Sequence, residues 1–237
     1  LARGVVDRAP DLRIVGITGS SGKTTTKDLL ASVLAAAGET VSPVNSLNGE
    51  IGVPLTVCRI TPTTRFLVAE MGARGIGHID YLTRIAPPQV AIVLNVGTAH
   101  VGEFGSRANI ALAKSELPRA VPADGLSILN ADDPVVAAMA DGLASRVQLV
   151  GLSPEAEVRA EDVVVDELGR AAYDLVAPQG RARVSLRLSG AHHVGNSLAV
   201  AAAALELGMS LDAVAAALSA ATPVSRWRLE VTERPDG

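Results

Sequence analysis

Cysteine, aromatic residues and excess positive charge are all scarce in this chain of 237 residues. The single cysteine, Cys58, cannot form an internal disulfide, which points to a reducing compartment. Two Phe, two Tyr and one Trp are its only aromatic residues, and Lys plus Arg number 21 against 25 Asp plus Glu. Because nucleic acids bind to basic faces and stack on aromatic rings, this composition argues against a nucleic-acid partner.

Long apolar runs are missing as well. The longest, residues 198–205, is far shorter than the ~20 residues of a membrane-spanning helix, so we expect no span. The first residues scatter Arg and Asp and predict no signal peptide, and we expect a cytoplasmic protein. With 48% hydrophobic residues the chain is able to fold around a large core. It begins with Leu and stops after a strand-like segment, so we expect a fragment of a longer protein. We also expect a monomer.

The first two thirds of the chain have the pattern of an α/β fold. Short apolar runs alternate with segments of helical period, which predicts a mostly parallel sheet flanked by helices. The predicted strands are 13–18, 39–44, 65–71, 89–96, 126–130 and 146–151. The predicted helices are 23–37, 78–85, 107–117 and 134–143.

The pattern changes after Gly151. Residues from about 156 to 190 form extended segments separated by turn signals, which predicts a smaller antiparallel β subregion. Two alanine-rich helices are predicted to follow, at 193–207 and 210–221, with Gly208 between them.

The segment GITGSSGKTTTKD, residues 16–28, has the composition of a phosphate-binding loop (P-loop). A strand leads into small residues and then a helix, so that backbone N–H groups, the helix N-terminus and Lys23 all face a phosphate. Ile17 stands where the usual pattern has glycine, which makes the loop a variant. The alternative is an ordinary glycine-rich turn. The predicted nucleotide-binding residues here are Gly19, Ser20, Ser21, Gly22, Lys23, Thr24 and Thr25.

This variant loop resembles the ATP-binding segment of the Mur ligases, the amide-forming enzymes of peptidoglycan precursor synthesis. The resemblance runs from about residue 14 to 230 and favours the branch that adds D-alanyl-D-alanine. The further segments that carry it are NSLNGEIGVPLT (45–56), VAEMGARGIGHI (68–79), NVGTAHVGEFGS (95–106), ALAKSEL (111–117), GAHHVGNSLAVAAAA (190–204) and RLE (228–230).

The resemblance implies an ATP-dependent ligase that joins D-alanyl-D-alanine to UDP-N-acetylmuramoyl-tripeptide through an acyl phosphate. It also implies two Mg²⁺ sites, with Glu70 and Thr24 at the first and His100 at the second. Oxygen and imidazole ligands at strand ends suit the charge that phosphoryl transfer concentrates. Taken alone, Glu70 is as well explained as a solvated strand-end carboxylate, and His100 as a loop histidine bonded to backbone.

Lys114 is a candidate only through the resemblance, which implies a carbamylated lysine at a metal site and a catalytic role beside Lys23 and His100. An ammonium cannot bind Mg²⁺, whereas a carbamate offers an anionic oxygen. Without the resemblance, Lys114 is interpreted as a surface lysine on an alanine-rich helix.

Four more nucleotide contacts are implied by the resemblance. Asn196 matches the residue that contacts adenine, while His193 stands where the family usually has Asn. Arg228 matches an arginine at the ATP phosphates, although an ion pair with Glu230 explains it equally well. Asn48 matches a site-lining asparagine.

Three other residues have simpler interpretations. We expect Asn95 to brace its turn, with the orientation of a phosphate as the alternative. We expect Asp132 and Asp133 to act as helix caps before Pro134, with a contact to ribose or metal as the alternative.

The implied domain division has three parts. Residues 1–12 end an N-terminal domain that holds the UDP-substrate, 13–222 form the central ATP-binding domain, and 223–237 lead into a C-terminal domain. Two alternatives remain open: a sister Mur-type or folylpolyglutamate-type ligase with another substrate, and a non-catalytic nucleotide-binding module.

Overall fold

The computed structural model of the chain describes residues 1–98 and 101–222. In these ranges nine strands form one sheet in the order β2-β3-β1-β4-β5-β6-β7-β8-β9. The strands are β1 Arg13–Thr18, β2 Thr40–Val41, β3 Phe66–Glu70, β4 Val90–Val93, β5 Leu126–Asn130, β6 Arg146–Gly151, β7 Val158–Val165, β8 Arg170–Ala177 and β9 Gly180–Ser189. The α-helices are α1 Ala2–Val6, α2 Lys23–Ala35, α3 Gly52–Val57, α4 His78–Ile85, α5 Val101–Phe104, α6 Arg107–Arg119, α7 Pro134–Ala137, α8 His193–Glu206 and α9 Leu211–Ala220.

The sheet is parallel from β2 through β7 and antiparallel from β7 through β9. The predicted α/β fold with an antiparallel subregion is therefore confirmed. The subregion is not a separate sheet, because Val150 of β6 pairs in parallel with Val158 of β7. The hydroxyls of Tyr173 on β8 and Ser197 on α8 lie 2.6 Å apart and join these strands to the helical layer.

Alternating strand residues divide the core between the two faces of the sheet. Along β1, Val15 and Ile17 pack into the larger core cluster with α2, α8 and α9, whereas Ile14 packs into a second cluster on the other face. The alanines of α8 are almost fully buried, which allows this helix to lie close to the sheet and to α2.

Three predicted elements are much shorter than their sequence patterns indicate, and one of them is strand 89–96, which is limited to β4, Val90–Val93. Strand 39–44 is reduced to β2, because Pro43 lacks an N–H and its carbonyl accepts a hydrogen bond from Lys27 instead of joining a ladder. Helix 134–143 is reduced to α7 followed by a 3-10 turn at Ala138–Ala140, ahead of Gly142, whose φ is +76°.

In the described ranges, the helices lack the combination of length and apolar character that crossing a membrane requires.

Candidate functional site

The loop between β1 and α2 has the backbone of a phosphate cradle. Gly22, at the N-cap of α2, has a φ of +80°, a value that favours glycine. A Cβ there would come within 2.8 Å of the Asn196 side chain, and one at Gly19 within 2.9 Å of Leu94. The Lys23 ammonium donates to the Gly19 carbonyl at 2.7 Å and so folds back over the loop. Gly19 and Gly22 therefore stand where a side chain would not fit, and phosphate binding by this loop stays a prediction.

Asn95 joins this loop to the end of β4. Its side-chain oxygen accepts from the Ser21 N–H at 2.9 Å, and its amide nitrogen donates to the Ser21 carbonyl at 3.2 Å. The Asn95 carbonyl accepts from the Ser20 N–H at 3.1 Å, and the Ser20 hydroxyl accepts from the Gly97 N–H at 2.9 Å. These contacts agree with the expectation that Asn95 braces its turn.

Glu70 ends β3 at the edge of the sheet where the phosphate loop begins, since it lies opposite Ile17 in the register. Its side chain is 1% exposed. Oε1 accepts from the Asn48 amide at 2.7 Å, whereas the buried Oε2 has no hydrogen-bond partner among the described residues. An unsatisfied buried carboxylate oxygen is costly unless a cation compensates it.

Thr24, the other predicted ligand of the first metal, is also buried. Its hydroxyl lies 3.3 Å from that of Ser46, two residues before Asn48. Within the described ranges, no group of three or more His, Cys, Asp or Glu residues is arranged to hold a metal ion. The oxygen donors present, the Glu70 carboxylate and the Thr24 hydroxyl, fit Mg²⁺, which takes one or two carboxylates and completes its shell with hydroxyl, water and phosphate oxygens.

Lys114 is buried on α6, with 5% exposure, so the interpretation as a surface lysine is wrong. Burial, and to a smaller extent the positive charge of Lys23, lowers the pKa of Lys114 to about 8. The lysine lies close enough to the phosphate loop to feel that charge. The chain has three lysines, Lys23, Lys27 and Lys114, and all three lie in or beside this site.

A cavity of about 600 Å³ opens beside the phosphate loop. Ser21, Gly22 and Thr25 border one end, and His193 and Asn196 of α8 border another. The predicted loop residues and the predicted adenine contacts therefore line the same space.

His193 is neutral near pH 7 in this setting. Its side chain is buried, and burial, together with the charge of His192, lowers the pKa of His193 to about 4. The two rings are 4.0 Å apart between centroids. The Asn196 amide nitrogen lies 3.5 Å from Nδ1 of His193, which leaves Nε2 as the ring atom able to carry the proton.

A second cavity, of about 490 Å³, lies beside the Asn48–Glu70 contact. The 46–52 segment forms one wall, and Gly72, Arg74 and His78 contribute to the other. The described residues therefore border two cavities, one next to the loop between β1 and α2 and one next to Asn48.

Asp132 and Asp133 have structural partners. Asp133 caps α7 through the Val135 and Val136 N–H groups, as predicted. Asp132 does not cap the helix, and this part of the prediction is wrong. Its carboxylate accepts from the Leu152 and Ser153 N–H groups and holds the turn after β6.

Two predicted residues, His100 and Arg228, lie outside the described residues. Their roles at the second metal and at the ATP phosphates stay predictions.

The sequence analysis did not find two residues that shape the site. Lys27 is 2% exposed and donates to the Pro43 carbonyl, and Ser46 lies against Thr24. A signal for Lys27 exists, because it lies among the buried residues of α2, where a lysine needs a partner.

Comparison with known proteins gives a consistent result. Residues 17–204 match the family model described as Mur ligase middle domain. The chain is 55% identical over 229 residues to the UDP-N-acetylmuramoyl-tripeptide--D-alanyl-D-alanine ligase of Mycobacterium tuberculosis, covering 97% of this chain and 45% of the relative. It is 37% identical to the ligase of the same name from Escherichia coli, over 87% of this chain and 46% of the relative.

The comparison with solved structures points to the same family as the comparison of sequences. A crystal structure of MurF from Acinetobacter baumannii superposes with a TM-score of 0.92 at 34% identity, covering 99% of this chain and 51% of that one. MurF from Thermotoga maritima in complex with ADP superposes with a TM-score of 0.83 at 29% identity, covering 94% of this chain and 51% of that one. The chain spans about half the length of the relatives that it matches.

Proposed function

The chain belongs to the Mur ligase middle domain family, and on this basis we propose that it is the central ATP-binding domain of a D-alanyl-D-alanine-adding ligase. The observation that carries the ATP-driven chemistry is Oε2 of Glu70, which is buried at the edge of the phosphate loop and has no hydrogen-bond partner in the part of the chain that the structure describes. The named relatives support the choice of UDP-N-acetylmuramoyl-tripeptide and D-alanyl-D-alanine as substrates.

The proposed reaction has two steps. A carboxylate oxygen of the tripeptide attacks the γ-phosphorus of ATP, the bond to the β-phosphate oxygen breaks, and ADP leaves. The amine of D-alanyl-D-alanine then attacks the acyl carbon, loses a proton and expels phosphate, which forms the amide. Both steps gather negative charge in one place, so a site that positions and neutralises phosphates lowers the barrier.

The phosphate loop performs the positioning. N–H groups at the start of α2 and the Lys23 ammonium bind the phosphates of ATP, and the contacts of Asn95 hold the loop in its cradle shape. Thr24 and Glu70 would hold the first Mg²⁺, and His100 with Lys114 the second. When bound, these ions neutralise charge on the transferring phosphoryl group.

We propose that Lys114 carries the implied carbamate. Its neutral amine attacks the carbon of CO₂, a proton is lost, and an anionic carbamate results. A pKa of about 8 leaves roughly a tenth of the amine neutral at pH 7, far more than a lysine with an ordinary pKa has. The adduct also turns the repulsion between Lys114 and Lys23 into attraction, which supports the modification.

The two cavities suit the two large substrates. Adenosine would occupy the first, with His193 and Asn196 at the base and Arg228 at the phosphates. The carboxyl end of the tripeptide would enter the second, where Arg74 offers positive charge. Asn48 borders this second space and contacts Glu70.

The domain division remains part of the proposal. Residues 1–12 would connect to an N-terminal UDP-substrate domain, 13–222 would form the ATP-binding domain, and 223–237 would lead into a C-terminal domain that closes over the nucleotide. We further propose a monomeric enzyme of the cytoplasm.

The test is phosphate release by the full-length protein that contains this chain. We expect release from ATP only when UDP-N-acetylmuramoyl-tripeptide and D-alanyl-D-alanine are both present. Release with a different acceptor or amino acid would support a sister ligase. ATP binding without phosphate release under any substrate pair would support the non-catalytic nucleotide-binding module and overturn the proposal.

A further inference from the structure

The segment at residues 43–48, which we call the 43–48 loop, contacts both proposed ligands of the first metal. Its Ser46 hydroxyl lies 3.3 Å from the Thr24 hydroxyl, and its Asn48 amide nitrogen lies 2.7 Å from Glu70 Oε1. Thr24 belongs to α2 and Glu70 to β3, so one short loop connects two elements that are distant along the chain.

The Asn48 contact leaves the two oxygens of Glu70 in different states. Oε1 accepts the Asn48 N–H, whereas Oε2 is buried without a partner among the described residues. A carboxylate at a strand end is able to rotate about its terminal bonds, and a single strong donor on one oxygen fixes where the other oxygen points.

Asn48 is itself held in place. Its backbone carbonyl accepts from the Gly72 N–H at 2.8 Å. A Cβ at Gly72 would come within 2.7 Å of Asn48 Oδ1, so the side-chain amide packs directly on this glycine. The donor that reaches Glu70 therefore has little freedom to move.

The start of the loop is anchored to α2. Lys27, 2% exposed, donates to the Pro43 carbonyl at 2.9 Å and pairs with Asp28. Asn45 follows with a φ of +54°, an uncommon conformation for a residue other than glycine and one that neighbouring contacts must maintain. The loop is thus held at Pro43 by Lys27 and at Asn48 by Glu70, with Ser46 next to Thr24 between them.

We propose that Asn48 is a positioning residue for the first metal: its amide orients Glu70 so that Oε2 faces a divalent cation bound with the nucleotide. This inference rests on the proposed function, because it requires the cation site at Thr24 and Glu70. Asn48 acts through Glu70 and has no need to touch the nucleotide. Residues that orient a metal ligand typically contribute 10- to 100-fold to metal affinity, as a rough range.

The test measures Mn²⁺, as a paramagnetic substitute for Mg²⁺, bound to the full-length protein with ADP. Electron paramagnetic resonance gives the affinity for Mn²⁺, and calorimetry without divalent ions gives the affinity for ADP alone. In Asn48→Ala we expect Mn²⁺ to bind about 10-fold more weakly, with ADP affinity changed less than about twofold. Asn109→Ala, an asparagine that bonds the Phe104 carbonyl instead, is the matched control and should change neither value.

A second variant keeps the proposal testable if Asn48→Ala fails to fold. Gly72→Ala keeps Asn48 but pushes against its amide, and it should weaken Mn²⁺ binding in the same direction and by less. Unchanged Mn²⁺ affinity in both variants would overturn the proposal, as would an equal loss of ADP affinity without metal, which would make Asn48 a nucleotide contact. If the unsubstituted protein fails to bind Mn²⁺ with ADP, the proposed function itself is overturned.

Discussion

Lys23 and Lys114 lie close enough for the charge of the first to lower the pKa of the second, although one begins α2 and the other lies within α6. Burial of Lys114 and the positive charge of Lys23 both disfavour the ammonium form of Lys114. Under the proposed function, the phosphates of ATP or a carbamate on Lys114 would bring negative charge to this pair.

Substitution of Lys114 tests the carbamate. We expect Lys114→Ala to lower ligase activity of the full-length enzyme about 10- to 100-fold, because an anionic oxygen is lost. Short-chain carboxylates such as formate or acetate should restore part of the activity by filling the vacated space. Lys114→Arg, which keeps the positive charge and cannot form the adduct, should be inactive and not respond to them. Unaltered activity in Lys114→Ala would remove the claim.

Glu70→Gln tests the first metal site. Gln keeps an oxygen that accepts from Asn48 and replaces the unpartnered oxygen by a neutral amide group. Mn²⁺ affinity should fall about 100-fold, while metal-free stability should stay the same or rise by about 1 kcal/mol, since a buried charge is gone. Spectroscopic Mn²⁺ titration and urea unfolding measure the two effects. Glu157→Gln, at an exposed position, is the control, and equal effects there would contradict the assignment.

Asn95 is predicted to matter through the shape of the phosphate loop. Asn95→Ala removes the contacts of its side chain with Ser21 and should weaken ATP binding by about 1 kcal/mol, roughly fivefold. Asn95→Asp keeps an acceptor for the Ser21 N–H but adds a negative charge beside the phosphates, so it should bind ATP more weakly than the Ala variant. Calorimetry in low and high salt separates the loss of the loop contacts from the effect of the added charge, because salt screens only the charge. The opposite order of the two variants would show that the loop shape is not set by Asn95.

We expect the folding stability of the chain to depend on pH through His193. Its pKa is lowered to about 4 in the folded chain, against an ordinary value of 6.5. The unfolded state therefore binds the proton first as pH falls, and stability decreases between about pH 6.5 and pH 4. His193→Asn should remove a loss on the order of 2 kcal/mol over this window. Urea unfolding at pH 7, 5.5 and 4.5 measures it, and an unchanged slope with pH would contradict the buried neutral histidine.

The order and type of the main elements could be predicted from sequence because parallel strands buried on both faces are continuous apolar runs. The join between β6 and β7 could not, since a parallel contact of two residues leaves no periodic signal. The sequence therefore predicts an antiparallel subregion but does not predict that it continues the parallel sheet through β6 and β7.

The remaining differences between the predicted and the observed site arise from burial and from side-chain contacts. Lys114 looks like a surface residue because its immediate neighbours in sequence do not reveal that α6 turns it inward. The Asn48–Glu70 contact joins residues 22 positions apart, and nothing in the spacing indicates it. Asp132 has the sequence position of a helix cap, yet its carboxylate accepts hydrogen bonds from N–H groups in the turn after β6.

The placement of all three lysines at the phosphate site has a chemical consequence. Every other strongly basic side chain of these 237 residues is an arginine, which a reagent that acylates primary amines does not modify. Incorporation of such a reagent at Lys23, which is half-buried whereas Lys27 and Lys114 are buried, would report on nucleotide occupancy when measured with and without nucleotide.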